Sequence, residues 1–509
     1  MSTETETVAS SPVDVPEPEW RRLEARTVLV RPFNEFIGFI PLLIGAIALG
    51  QHNDQKIWYG LGVITLLIAR GVLHWATTRY RITDEQVEIR HGLINRQRMT
   101  TRRERIRTVE ATAKFGHRLF GVTSVRIGTG QHEHKGHRPV RLDAVTTAEA
   151  DRLRRVLLQR NDIAVADPTS PAEPPAGVVL AKLDWRWLKY APLTLSGLFA
   201  AAAILGVVWR SVNELDINVS RVGLMRSGVR WFEHASAGAV IAAVTLVAVV
   251  LIVFGSTLIY VLKYSGYELT REPDDTLHVR RGLLTTSAVT IEEARLRGVE
   301  IREPLLLRAG RGARCLAVAT GLAHRSESHL LMPPGPAVEA HRVASRALRL
   351  TDGTSPTQVR LARHSAKALR RRLVRAVGSG LVVVLLLWLA SVALGWPVWL
   401  WQVACVLPVL GVPLGWNRYR NLGHALTPRY LVSRSGSLER RTVALQRTGI
   451  IGWQVRRTFF QRRAGLITLT ASTSAGRGAY HVFDITTSDG LRLADEAVPG
   501  LLTPFLVED

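Results

Sequence analysis

Arg102, Arg103, Arg105 and Arg107 place four guanidinium groups within six residues. A guanidinium is always charged and takes phosphate or carboxylate oxygens two at a time. Basic segments held against an anionic leaflet gain about 1 kcal/mol per Lys or Arg. The run is therefore a candidate for anionic lipid headgroups; the alternative is a solvated edge strand that uses charge to prevent aggregation. His132, Glu133, His134 and His137 carry metal-ligating side chains, but no cysteine and no helical His-x-x-x-His spacing accompanies them. They read as a solvated loop, and no metal is expected. Glu35 and Arg70 lie inside apolar stretches at similar depth from one end, which predicts an intramembrane ion pair. There is no Gly-x-Ser-x-Gly, phosphate loop, His-Glu-x-x-His or paired carboxylate. No catalytic residue, enzyme activity or cofactor is expected.

The elements that must position these groups are apolar. Six blocks, 32–50, 57–76, 192–209, 235–262, 376–394 and 398–416, are each near the roughly 20 residues a bilayer span needs. A polar joint at 51–56 pairs the first two and Gly395-Trp396-Pro397 the last two; 210–234 joins the middle pair. Arg21, Arg22, Arg26 and Arg31 precede the first hairpin, and Arg370, Arg371, Arg372 and Arg375 precede the third. Basic residues at the outer ends of hairpins predict that both termini and every domain between hairpins are cytoplasmic. The net charge of +24 is thus assigned to the membrane face, and no nucleic-acid partner is expected. Two cysteines give no disulfide framework. Only 7 of the 66 basic residues are lysine, a bias associated with GC-rich genomes such as those of actinobacteria.

The segment after each hairpin is repeated. A shift of 190 positions lays Arg90, Gly92 and Leu93 on Arg280, Gly282 and Leu283, and Arg105–Glu110 on Arg295–Glu300. A further shift of 154 lays Gly282 on Gly436 and Arg308 on Arg462; the first copy's Arg118 and Gly121 then match Arg462 and Gly465. These positions are expected to be structural. Three ungapped copies make one architecture three times. In the first copy, Ile82, Val87 and Ile89 alternate as half-buried strands about a turn at 83–85. Val122–Ile127 and Val140–Leu142 read as further strands, and Thr146 with Glu149 as a capping box opening an amphipathic helix. The predicted unit is a small split β-barrel closed by a helix.

These repeats set the domain boundaries. Residues 1–19 are expected to be disordered and 20–76 to form the lead-in and hairpin 1. Domain 1 is 77–160, a linker 161–182, hairpin 2 183–262, domain 2 263–351, a linker 352–369, hairpin 3 370–418 and domain 3 419–509. Two departures stand out. The second copy has Leu305–Gly312 in place of the stretch before the first copy's Gly121, which predicts a distorted second barrel. The third has Gly449–Trp453 where the first has Arg105–Val109, and so lacks the charged segment.

The Arg-x-Gly-Leu strand pair, the later Arg-Ile-Arg-x-Val-Glu and Phe459–Leu466 resemble the bacterial pleckstrin-homology-like membrane proteins of the YdbS/YdbT type, in particular the long three-repeat form. The resemblance covers about 25–500 and implies a pleckstrin-homology-like split barrel capped by a helix. It also implies a smaller partner of the family with two spans and one such domain. The expected role is a non-enzymatic binding or scaffolding module, in envelope stress or membrane maintenance. The competing reading is a lipid or small-molecule transporter gated by the domains.

Overall fold

The computed structural model describes residues 75–83, 85–91, 97–106, 108–128, 140–158, 177–194, 235–321, 328–350 and 355–502, with isolated positions in 20–30, 65–73 and 196–206. The N-terminal stretch 1–19, Glu35, Arg70, Gly92, Arg107, the histidine loop at 132–137 and nearly all of the first three expected spans lie outside the described residues.

Among the helices, α1 is Phe115–Leu119, α2 Thr147–Leu158 and α3 Ala237–Tyr264; α4 is Leu305–Ala309 and α5 Ala337–Ala347. The third hairpin contains α6 (Ala366–Leu394), α7 (Trp399–Ala404) and α8 (Val406–Arg420); α9 is Phe459–Ala464 and α10 Thr487–Ala497. Among the described residues three helical stretches are long and apolar enough to cross a membrane: α3, α6, and α7 with α8 as one 22-residue span. Each agrees with an expected block. Of the three hairpins expected from six spans, the third is wholly described. It turns at Gly395, whose left-handed φ of 68° caps α6. Its two helices pack through small residues: a Cβ on Gly411 would lie 2.9 Å from the Ala376 carbonyl, and one on Gly380 2.6 Å from the Pro408 nitrogen.

Among the described residues twenty strands follow the three-fold plan. Repeat 1 has β1 (Arg21–Arg22), β2 (Arg79–Ile82), β3 (Gln86–His91), β4 (Gln97–Arg102), β5 (Thr108–Ala113), β6 (Val122–Gly128) and β7 (Val140–Thr146). Repeat 2 has β8 (Val178–Lys182), β9 (Glu268–Arg271), β10 (Thr276–Arg281), β11 (Thr286–Glu292), β12 (Leu296–Pro304), β13 (Gly312–Ala319) and β14 (Leu330–Pro336). Repeat 3 has β15 (Gly423–Leu426), β16 (Tyr430–Ser435), β17 (Glu439–Gln446), β18 (Gly452–Arg456), β19 (Leu466–Ser472) and β20 (Ala479–Thr486).

The sheets do not respect the repeats. The first holds β1-β2-β3-β4. The second runs β7-β6-β5-β11-β10-β9-β8, and the third β14-β13-β12-β17-β16-β15. The last is β18-β19-β20. So the back half of each of the first two barrels continues, strand to strand, into the front half of the next. Thr112 faces Ser287 across the first joint, and Arg302 faces Arg441 across the second. These are equivalent positions, so both joints share one register. Pairing in this way removes an open edge from each inner barrel.

Four expectations change. The linker expected at 161–182 ends in β8, which pairs with β9. The linker at 352–369 contains the Ala362–His424 bridge and the start of α6. The lead-in supplies β1 to the first sheet. The second barrel is not distorted: α4 occupies the place of α1 and α9. What differs is its exit, where Arg311 takes the left-handed φ (57°) that Gly121 and Gly465 take at 67° and 66°.

Each barrel has its own core under its closing helix, and the cores of repeats 2 and 3 interlock. Tyr430, Val432 and Ala444 of repeat 3 pack into the core of repeat 2, while Val318 of repeat 2 packs into that of repeat 3.

Candidate functional site

The two arginines of the run whose side chains are described, Arg102 and Arg103, have different surroundings. Arg102 is exposed at the end of β4, and Arg103 starts a single 3-10 turn that Arg105 closes. The Arg103 guanidinium donates to the Val156 carbonyl near the end of α2. Its counterpart Arg447 does the same in repeat 3, to the carbonyls of Glu496 (2.6 Å) and Ala497 (2.7 Å). The last carbonyls of a helix have no partner within it, and a cation there also suits the helix dipole. In repeat 2 the position is Glu293, which instead binds Arg349, just past the end of α5, at 2.5 Å. At least one arginine of the run is thus a helix cap, a role that shows only when the repeats are compared in space.

Of the repeat-motif residues, Arg118, Gly282, Arg308 and Gly436 lie at or beside the joints. Gly282 and Gly436 have φ of 104° and 110°, and a Cβ on either would overlap the carbonyl of Thr285 or Glu439. The turn that Gly282 makes is hooked on the span: Leu283 N donates to Leu262 O of α3, and Arg118 of repeat 1 donates to Leu283 O. Arg308 is placed beside Glu303 and Arg440 at the second joint. Arg462 is exposed.

The two joints carry different chemistry at the same positions. In the second, Arg440 clamps Glu303 with bonds of 2.6 and 2.5 Å, Arg314 reaches Glu439 at 2.8 Å and Arg302 reaches Glu300 at 2.9 Å. Burial works against ionised Glu439, but the bonds from Arg314 and Arg441 hold its carboxyl below the usual range. In the first joint, the equivalents of Arg302, Arg314, Glu439 and Arg441 are Thr112, Ser124, Thr285 and Ser287. Those four line a cavity of about 950 Å³. The side-chain links across this joint lie at other positions: Ser328 donates to both oxygens of Glu110 at 3.1 and 3.2 Å, Thr108 to Gly321 O at 2.8 Å, and Arg118 to Leu283 O.

A third arrangement joins hairpin 3 to its barrel. Asp484 is 1% exposed and sits at a left-handed φ of 55°. Its carboxylate receives Arg371, Arg372 Nε at 2.8 Å and Gln461 Nε2 at 3.0 Å. Its carbonyl meets His364 Nδ1 at 3.2 Å; His364 Nε2 lies 3.1 Å from His424 Nδ1. Tyr419 at the end of α8 donates to His364 O at 2.9 Å. The start of the hairpin is therefore held to one buried carboxylate, and its end to the neighbouring His364. Burial keeps both imidazoles neutral, and with the neighbouring His364 it brings His424 down to about 4.

The last repeat shows what an uncovered joint looks like. β18 is equivalent to β5 and β12, yet it ends its sheet, and Gln454, Val455 and Arg456 are exposed. At the opposite end, β4 is the equivalent of β11 and β17 and is also terminal. No group of three or more His, Cys, Asp or Glu able to hold a metal occurs among the described residues.

A model described as the bacterial PH domain matches residues 33–161, 193–344 and 373–497. The chain belongs to that family. Each match begins where an expected hairpin begins, so the family unit is a hairpin with its barrel. The chain is also similar to the UPF0699 transmembrane protein YdbT of Bacillus subtilis (strain 168): 20% identical over 453 residues, covering 86% of this chain and 88% of that one. No solved structure matches. The bacterial PH resemblance read in the sequence is thereby established, and the chain is a membrane-associated PH-like repeat protein.

Proposed function

We propose that this bacterial PH protein is a non-enzymatic scaffold of the cytoplasmic membrane, with all three barrels and both termini on the cytoplasmic side. Its barrels form one continuous row that recruits a further PH-like domain. The observation carrying this reading is β18. The same strand is buried by the next repeat at both inner joints and exposed in repeat 3. The two inner joints define what covers it: the β11-type strand of a PH-like domain, added in antiparallel register. A second copy of this chain would offer β4 for that purpose, but both open edges are basic. β4 exposes Arg98 and Arg102, and β18 is followed by exposed Arg457, Arg462 and Arg463. Charge therefore favours a different chain with an acidic edge, of the kind the family resemblance implies as a smaller two-span partner.

A photo-crosslinking residue at Gln454, in the full-length protein in native membranes, tests this. The expected product joins it to another membrane protein bearing a PH-like domain. A homodimeric product would show the second copy as occupant. Absence of any adduct, with efficient crosslinking from an inner-joint control, would contradict recruitment at this edge.

A further inference from the structure

We propose that the cavity at the joint of repeats 1 and 2 binds one phosphate group at the membrane surface. This rests on α3 spanning the bilayer, though not on recruitment at β18.

The cavity exists because four side chains are small. At the second joint the equivalent positions hold three arginines and a glutamate, bonded to each other and their neighbours, and the cavity left beside Glu439 and Arg441 is only about 210 Å³. At the first joint all four are hydroxyl-bearing: Thr112, Ser124, Thr285 and Ser287. Backbone register is the same, so the opening is a matter of side chains alone. Solvent filling would be the bland account. It does not explain the excess of positive charge that lines the space. Lys114, Arg126, Lys263 and Arg281 line it, against the one carboxylate of Glu110. That carboxylate already has Ser328 at 3.1 and 3.2 Å and Arg126 at 4.0 Å.

A cavity with hydroxyl donors and an excess of cations suits a tetrahedral oxyanion. Each hydroxyl can donate one hydrogen bond, and guanidinium and ammonium groups supply charge-assisted ones. Its location suits a phosphate carried by a lipid. Ile259, Leu262 and Lys263, from the last two turns of α3, form part of the wall, so the cavity opens at the level where the span ends. Exposed Leu283 and Leu284 sit at the same level. The shared chemistry is the phosphate oxyanion; its source is either a phospholipid headgroup or a free phosphate.

The second joint supplies the test variant. Ser124→Arg, Thr285→Glu and Ser287→Arg together rebuild at the first joint a triad that the fold already accommodates at the second. Full-length protein would be released from nanodiscs of phosphatidylglycerol and phosphatidylcholine, and retained lipid counted by native mass spectrometry. The wild type should keep one phosphatidylglycerol at the joint, and the filled triple variant should retain it at least tenfold less. Lys263→Gln with Arg126→Gln should also weaken retention. Loss of the bound lipid on adding millimolar inorganic phosphate would assign the source to free phosphate; retention would assign it to the lipid. Equal retention by wild type and the filled variant, or no binding of either phosphatidylglycerol or inorganic phosphate, would overturn the proposal. Crosslinking from Gln454 reports separately on the recruitment reading, and should be unchanged in the filled variant.

Discussion

Asp484 holds hairpin 3 to its barrel with two arginines and a glutamine converging on one buried carboxylate. Removing its charge leaves Arg371 and Arg372 without their counter-ion, and breaking a buried pair from one side costs about 3–5 kcal/mol. Asp484→Asn tolerates the left-handed backbone and should lower the thermal unfolding midpoint of the full chain in detergent by several degrees. A change within error would show that the arginines are satisfied elsewhere. The adjacent His364 and His424 are neutral when folded, with Asp489 and Arg492 acting on His424 from α10. Unfolding restores an ordinary imidazole near 6.5, so the unfolded chain binds protons that the folded one refuses. Stability should be full above about pH 6.5 and fall as pH drops toward 4. His424→Gln should flatten that slope, and an equal slope in wild type and variant would assign it to other groups. Arg311 is the opposite case, an exposed arginine at a glycine conformation, where a non-glycine residue costs about 1 kcal/mol. Arg311→Gly should raise the midpoint by a few degrees. The glycines at 121 and 465 were legible as a repeat signature; Asp484 was not, because nothing local distinguishes a buried counter-ion from a surface aspartate.

At the level of elements, period-two alternation and apolar length found the β2–β3 pair, β6, β7, β19 and the three described spans. It missed β5 and the single-turn helices, which are too short for a period to show. It also took β8 for the end of a linker. β8 finds its partner β9 across an entire hairpin, a distance local patterning does not reach. The same limit hid the joints: β5 and β11 pair across more than 150 residues. The helix pair of hairpin 3 is a contact that small residues decide. Gly411→Leu would push its side chain into the Ala376 backbone and should cost a few kcal/mol as an overpacked interface. Loss of the folded hairpin in detergent, with Gly378→Leu tolerated because nothing lies within 4 Å of a Cβ there, is the expected pattern. Equal tolerance at both positions would contradict the close approach.

Across the whole molecule, the row of barrels comes from pairing each back sheet with the next front sheet, and among the described strands β4 and β18, the equivalents of the joint strands, end their sheets at the two ends of the row. The internal repeat reveals the number of units but not their connection, since a shift of register reports similarity and says nothing of contact. The orientation proposed from charge has its own test. Single cysteines at Asn53 and Asn218, in a background lacking Cys315 and Cys405, should react with an impermeant thiol reagent in intact cells, and one at Thr146 should not. Labelling at Thr146 would reverse the topology. The central claim is that repeats share sheets, and cysteines across the first joint test it most directly. Residues opposed on antiparallel strands bring their Cβ atoms to about 4.5–5.5 Å, while a slip of one residue turns the side chain to the other face. In native membranes under mild oxidation, Thr112→Cys with Ser287→Cys should form a disulfide, and Thr112→Cys with Ala288→Cys should not. Failure of the first pair to crosslink, or equal crosslinking by both, would contradict a shared sheet.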